Sequence, residues 1–221
     1  MTISEDTKTN DIDLPEDIPI FPLAGVLLLP RGDLPLNIFE PRYIAMINAA
    51  LSSQRLIGMV QPSSGDAANA QPIYPIGCVG RITRFEETED GRYLINLRGI
   101  SRFRILSELQ TDAGSYRRMK VSWLSFSQDT QKVSCLDIDR NHLLELLKCY
   151  FAIQKIQMNW DLIGDIDDDG LMTTLAMVCP FSPSEKQALL EAACCMTRAH
   201  LFVNLLEMAI CKGYNPCDKL H

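Results

Sequence analysis

Apolar and polar positions alternate in short runs through the first half of the chain and recur every three to four residues through the second. Ile18 to Phe21 is an apolar run stopped by Pro22, Val26 to Leu29 is a second stopped by the turn formers Pro30-Arg31-Gly32-Asp33, and Leu36-Asn37-Ile38 is a third; each predicts a strand. Glu40-Pro41-Arg42-Tyr43 then opens a helix. Pro41 suits the first turn, where its missing N–H would have no partner, and Glu40 sets an acceptor near the free amides. Tyr43, Ile44, Ile47 and Leu51 fall at helical spacing and are expected to face the sheet.

Arg55 to Gln61 is apolar enough for a buried strand, and the Ser, Gly, Asp, Ala and Asn of Ser63 to Gln71 predict a loop. From Gly77 to Leu106 the pattern is a hairpin, with Glu89-Asp90-Gly91 turning an incoming Val79 to Glu86 strand into an outgoing Arg92 to Leu97 strand. Gly99 predicts a bend or bulge before Phe103 and Ile105 resume alternation with Arg102 and Arg104. Arg117 to Trp123 supplies a last strand. Many short strands joined by Pro and Gly turns point to a curled sheet or half-barrel rather than a parallel α/β layer.

Beyond this the period changes. Leu143, Leu146, Leu147, Tyr150 and Phe151 share one side of a helix beginning at Asp139, opposite Glu145 and Lys148. A second helix spans Asp169 to Val178 and stops before Pro180. Ser182-Pro183-Ser184-Glu185 is a capping box for a third, and Leu201, Phe202, Leu205, Leu206 and Ala209 mark a fourth that stops near Gly213. The expected organisation is therefore a tail over 1–17, a β-rich unit over 18–126, a linker over 127–138, a helical bundle over 139–213 and a second tail over 214–221.

Composition narrows the function classes. A net charge of −7 over 221 residues opposes nucleic acid and anionic membrane on average. Met1 to Asp17 has no basic and apolar segments of a secretory signal, and no run reaches the length of a membrane span, so a cytoplasmic location is the expectation. None of the eight cysteines stands in a C-x-x-C pair, which favours free thiols packed as small hydrophobes. Phosphate-loop, nucleophile-elbow and H-E-x-x-H motifs are missing, and the three histidines suit surface or packing roles. No catalytic, metal or cofactor site is expected. Asp165-Ile166-Asp167-Asp168-Asp169-Gly170 imitates the start of a calcium loop, but Ala176 stands where the closing glutamate belongs, so helix capping is the expected role.

Ile18-Pro19-Ile20-Phe21-Pro22-Leu23, Val26 to Pro30 and Leu36-Asn37-Ile38-Phe39-Glu40-Pro41-Arg42-Tyr43 resemble the opening of the N-terminal, substrate-binding domain of Lon proteases. The likeness continues through Ile76 to Ile82, Leu97 to Ile105 and Ser184 to Glu191. It departs at Ala193-Cys194-Cys195-Met196, where the family often carries a polar cap between its last two helices. The resemblance implies an α+β fold: a mainly antiparallel, PUA-like pseudo-barrel with one helix, followed by a C-terminal helical bundle. It also implies a stand-alone, non-catalytic module, substrate-recognising or adaptor-like, whose partners are unfolded or tagged polypeptides and an intact Lon protease. Leu29, Phe39 and Tyr43 are the candidate peptide contacts, with core packing as the competing expectation for each. The alternative is RNA binding by a basic face of Arg98, Arg102 and Arg104 with Phe85, Tyr93 or Trp123 as stacking surfaces, against which stands a solvated face paired with Glu86, Glu87, Glu89 and Asp90.

Overall fold

The computed structural model describes residues 14–63, 71–112, 115–131, 138–157, 159–163 and 166–213. Most of the expected N-terminal tail, all of the expected C-terminal tail, most of the Ser63 to Gln71 loop and half of the expected linker lie outside them. Strands β1 (Asp17–Pro22), β2 (Asp33–Ile38), β3 (Leu56–Val60), β4 (Ile76–Glu87), β5 (Tyr93–Glu108) and β6 (Arg118–Ser122) form one sheet, and helix α1 (Pro41–Leu51) precedes β3. Helices α2 (Arg140–Gln154), α3 (Asp168–Val178), α4 (Pro183–Glu191) and α5 (Cys195–Gly213) make the second half.

The sheet order is β2-β5-β4-β3-β1-β6, and β5 also pairs with β6, which curls the sheet into a closed pseudo-barrel. Every pairing is antiparallel except β1 with β3. A parallel pair needs a crossover, and α1 lies in the connection that supplies it. Closure depends on the length of β5: its first residues take β2 as a neighbour and its last take β6. The β4–β5 register slips between Val79 and Gly80, where Ile100 is the extra residue, so the predicted bulge lies beside Gly99. The hairpin turns at Thr88–Arg92, with Gly91 at φ +78°.

Ile18, Ile20, Leu56, Val60, Val79, Phe103, Met119 and Val121 pack together in a small cluster of β-half residues. A larger cluster joins residues of β1 to β5 and α1 to side chains of all four later helices, so apolar burial is continuous across the halves. Asp139 caps α2 through the N–H groups of Asn141 and His142, and Ser182 and Glu185 form the predicted capping box of α4. Asp167 caps α3 at the Gly170 N–H (2.9 Å), the role expected for that acidic run; Asp165 lies outside the described residues.

Two local expectations change. Val26 to Leu29 is not a strand: Leu27, Leu28 and Leu29 are fully buried without strand partners, in a segment entered at Gly25 (φ +72°) and left through Arg31 (φ +67°). A run with no alternation has no solvent face, so it serves as a plug. Glu40 makes no side-chain cap; its carboxylate accepts from Arg42 Nε at 3.0 Å instead.

The plug sits on β5 at Gly99, where a Cβ would collide with the backbone carbonyl of Leu29. Gly99→Ala is therefore expected to cost about 2 kcal/mol or more, because backbone rather than a flexible side chain must move. Gly91→Ala, which meets only open space and a left-handed φ, should cost about 1 kcal/mol. Urea unfolding midpoints measure both, and equal losses would contradict the close approach.

Candidate functional site

Between the β2 and β6 ladders, β5 has one side with no strand beside it, from Gly99 to Phe103. The Gly99 backbone is met there by the Pro30 turn: Arg31 N–H donates to Gly99 O, and Gly99 N–H donates to Gly32 O, both at 2.8 Å. The Arg102 N–H is met by a side chain, donating to Asp129 Oδ2 at 2.9 Å. Asp129 belongs to the 3-10 helix Leu124–Thr130, which begins inside the β-rich unit and covers the first residues of the expected linker. The same carboxylate accepts from Arg102 Nε and Nη2, each at 2.8 Å. Arg102 Nη1 donates to the carbonyls of Leu190 (3.0 Å) and Ala192 at the end of α4. Arg102 is 3% exposed and its guanidinium lies 4.4 Å from the Phe126 ring centroid.

Other polar groups of α4 complete this junction. Lys186 Nζ donates to the carbonyls of Gly25 and Met177 at 3.0 Å, and burial lowers its pKa. Gln61 donates to Pro183 O, and Gln187 donates to Ile76 O at 3.1 Å. Arg198 Nε donates to Leu189 O; burial, and next the Arg102 cation, push it down to about 10. The space between the halves is a cleft of about 480 Å³ bordered by the charged residues Arg31, Arg98, Asp129 and Asp169.

A second groove lies on β2, β5 and β4. Pro35, Leu36, Asn37, Arg84, Glu86, Leu94, Ile95 and Asn96 line about 560 Å³ of open space. The pairings of Asn37 with Leu94 and Leu94 with Glu86, and of Pro35 with Asn96 and Asn96 with Arg84, bring those six together across three strands. Arg84 and Glu86 pair with one another at 3.1 Å. At the end of β2, Phe39 is 64% exposed, with the Arg92 guanidinium 5.9 Å from its ring centroid. Phe85 rests edge-on against Tyr93, whose hydroxyl donates to Asn48 Oδ1 on α1 (3.2 Å).

Of the three candidate peptide contacts, Leu29 (0% exposed) and Tyr43 (6%) are core residues, Tyr43 packing 4.3 Å from the Phe21 ring; Phe39 alone faces outward. The three candidate RNA contacts do not form one exposed face. Arg98 pairs with Asp33, Arg102 is enclosed in the junction, and Arg104 alone of the three is exposed with no ion pair among the described residues. Among the stacking candidates, Tyr93 is buried, and Trp123 donates to Pro15 O while packing on Phe103. Pro35, Leu36 and Leu94 were not singled out by sequence; the signal available was the unbroken apolar run Tyr93-Leu94-Ile95, in which strand alternation must turn one residue outward.

No group of three or more His, Cys, Asp or Glu side chains is placed to hold a metal among the described residues. His142 faces Glu207 at 3.7 Å on the surface. The cysteines divide: Cys78 and Cys179 are buried free thiols, Cys149, Cys194 and Cys211 are exposed, and Cys195 is disulfide-bonded, so among the described residues the packing expected of most cysteines holds for Cys78 and Cys179. Cys194 supplies the missing polar cap, its sulfur accepting the Thr197 N–H (3.5 Å) at the start of α5. No helix is long and apolar enough to cross a membrane among the described residues.

Residues 17–208 match the family described as the ATP-dependent protease La (LON) substrate-binding domain. Lon protease 2 of Myxococcus xanthus is 26% identical over 202 residues, which are 90% of this chain and 24% of that protein. The Lon protease of Flavobacterium johnsoniae is 30% identical over 86% of this chain and 24% of its own length. The chain thus spans about a quarter of these relatives. Among solved structures, a Lon N-terminal domain protein from Xanthomonas campestris superposes with TM-score 0.58 at 21% identity, over 85% of this chain and 97% of that one. The N-terminal domain of a Mycobacterium avium complex Lon protease gives 0.57 at 16% identity, over 88% and 98%.

Two predictions concern the interior. Asp129→Ala leaves a buried guanidinium without its anion and should cost about 3–5 kcal/mol, whereas Arg102→Met combined with Asp129→Leu should recover much of the loss. Denaturant unfolding reads both; a neutral Asp129→Ala would remove the junction from the stability of the fold. Burial pushes the Cys179 thiol up from 9.0 to about 12. A folded pKa above the unfolded value gives stability that is complete below pH 9.0 and is lost as pH rises toward 12. Relative to Cys179→Ala, the parent chain should lose about 1.4 kcal/mol per pH unit in that window; parallel stability curves would contradict this.

Proposed function

The chain belongs to the ATP-dependent protease La (Lon) substrate-binding domain family, and from that premise we propose that it is a non-catalytic module that binds unfolded or tagged polypeptides in the cytoplasm and presents them to an intact Lon protease. The observation that carries this reading is the groove of Pro35, Leu36 and Leu94 beside the exposed ring of Phe39. It combines apolar surface with a few polar groups, the composition of a site that holds a flexible chain by burial and orients it by hydrogen bonds. The neutral Arg84–Glu86 pair gives it no strong preference for charge. The rival use, phosphate binding, lacks a continuous cationic face because Arg102 is consumed internally and Arg98 is neutralised by Asp33.

Fluorescence anisotropy with a labelled, reduced and carboxymethylated protein as the unfolded probe tests the reading. Saturable binding in the micromolar range is expected, and Phe39→Ala should weaken it about tenfold, a loss of about 1.4 kcal/mol suited to an exposed aromatic contact. Absence of binding by the parent chain, or undiminished binding by Phe39→Ala, would overturn the assignment of the site.

A further inference from the structure

We propose that the outer edge of β2 is a strand-addition site, at which an extended polypeptide segment joins the sheet as a new strand with alternate side chains in the Leu94 groove. The inference rests on the polypeptide-binding reading above and specifies its mode. Among the described residues, β2 ends the sheet order and pairs only with β5. Among the described residues, no backbone hydrogen bond reaches Asp33–Ile38 from any other element.

Which groups face outward follows from the pairing phase. Gly99 N–H donates to Gly32 O, so Gly32 points toward β5. Orientation alternates along an antiparallel strand, which turns Leu34, Leu36 and Ile38 toward β5 and Asp33, Pro35 and Asn37 away from it. Pro35 agrees independently: a residue without an N–H is tolerated where no ladder bond is required. The open edge therefore offers the N–H groups of Asp33 and Asn37 and the carbonyls of Asp33, Pro35 and Asn37. Asp33, Pro35 and Asn37 are also the exposed residues of the strand.

Edges of this kind are commonly blunted by charge, proline or a covering element. Here the protection is slight. The Asp33 carboxylate is occupied by Arg98 and Asn96, and Pro35 removes a single donor. An added strand would lie beside the one face that carries Asn37, Leu94 and Glu86 in one row and Pro35, Asn96 and Arg84 in the next, with Phe39 at the end of the edge.

The occupant is a foreign, apolar, extended chain rather than a second copy. Symmetric pairing of two β2 edges over their full length centres on Pro35 and sets it opposite its own copy, so both central carbonyls would lack a donor, whereas any other residue opposite Pro35 supplies an N–H. Two chains of charge −7 also repel one another.

The test uses the full chain and a fluorescein-labelled ten-residue peptide rich in Val, Ile and Phe, with two derivatives N-methylated at odd or at even positions. Strand addition turns only one set of peptide N–H groups toward β2, so one derivative should bind at least about tenfold more weakly than the parent and the other nearly as well. Asn37→Pro removes an outward N–H and should weaken the parent peptide similarly, with the melting temperature checking that the fold persists. Equal effects of the two methylation patterns, with the parent peptide still bound, would overturn strand addition and leave polypeptide binding standing. Failure of the parent peptide to bind would overturn both. A dimer in sedimentation that Asn37→Pro dissociates would make a second copy the occupant and overturn the proposal.

Discussion

The Arg102–Asp129 pair is the constraint on which the arrangement of the two halves depends. A strand of 16 residues is too long for one neighbour on each side in so small a barrel, and on the side away from β4 it takes two, β2 and β6, leaving a gap between them. A gap in a buried sheet exposes amides that must be bonded. The Asp129 carboxylate bonds the Arg102 amide, and the Arg102 side chain, brought against the same carboxylate, spends a remaining donor on the last carbonyls of α4. One residue thereby satisfies a strand, a 3-10 turn and a helix terminus together. Buried ion pairs add little stability over an apolar replacement, and their geometry is demanding. Their contribution here is to fix where α4 docks.

That docking has a consequence at the opposite end of β5. On the side away from β4, the Pro30 turn and α4 of the helical half cover β5 around Gly99 to Arg102, while Tyr93 to Arg98 has β2 beside it. β2 is in turn the last strand of the order, so the closure that protects β6 against β5 is not available to it. The groove at Leu94 and the exposed Phe39 lie on this side. In the cleft between the halves, Arg98 and Asp129 are each engaged by an ion-pair partner, Asp33 and Arg102, whereas the backbone groups of the open edge are not.

Features set by neighbours in sequence were legible before any coordinates. The capping box at Ser182, the Asp139 and Asp167 caps, the hairpin turn and the bulge beside Gly99 each arise from residues within a few positions of one another. Arg102 could not be read that way. Its alternation with Arg104 suggested a common face, but its partners lie 27 and 88 residues away, and only tertiary packing reveals that a cation at a strand gap will turn inward. Val26 to Leu29 had the composition of a strand without its alternation, and burial on all sides made pairing unnecessary. Cys194 looked like the loss of a polar cap because sulfur is a weak acceptor, yet its position before Thr197 lets it serve.

Strand addition would also explain how one site can select unfolded chains. A folded protein has its backbone groups paired and its apolar side chains buried, so it presents neither the free N–H and C=O groups nor the alternate side chains that an open edge and its groove accept. An unfolded segment presents both together. The energy of addition comes mainly from main-chain groups common to all sequences, and the groove beside Leu94 adds preference only for apolar side chains at alternate positions. Recognition of that kind discriminates by the state of the polypeptide rather than by its identity, and Pro35, by making self-pairing the poorer match, keeps the edge open for such segments.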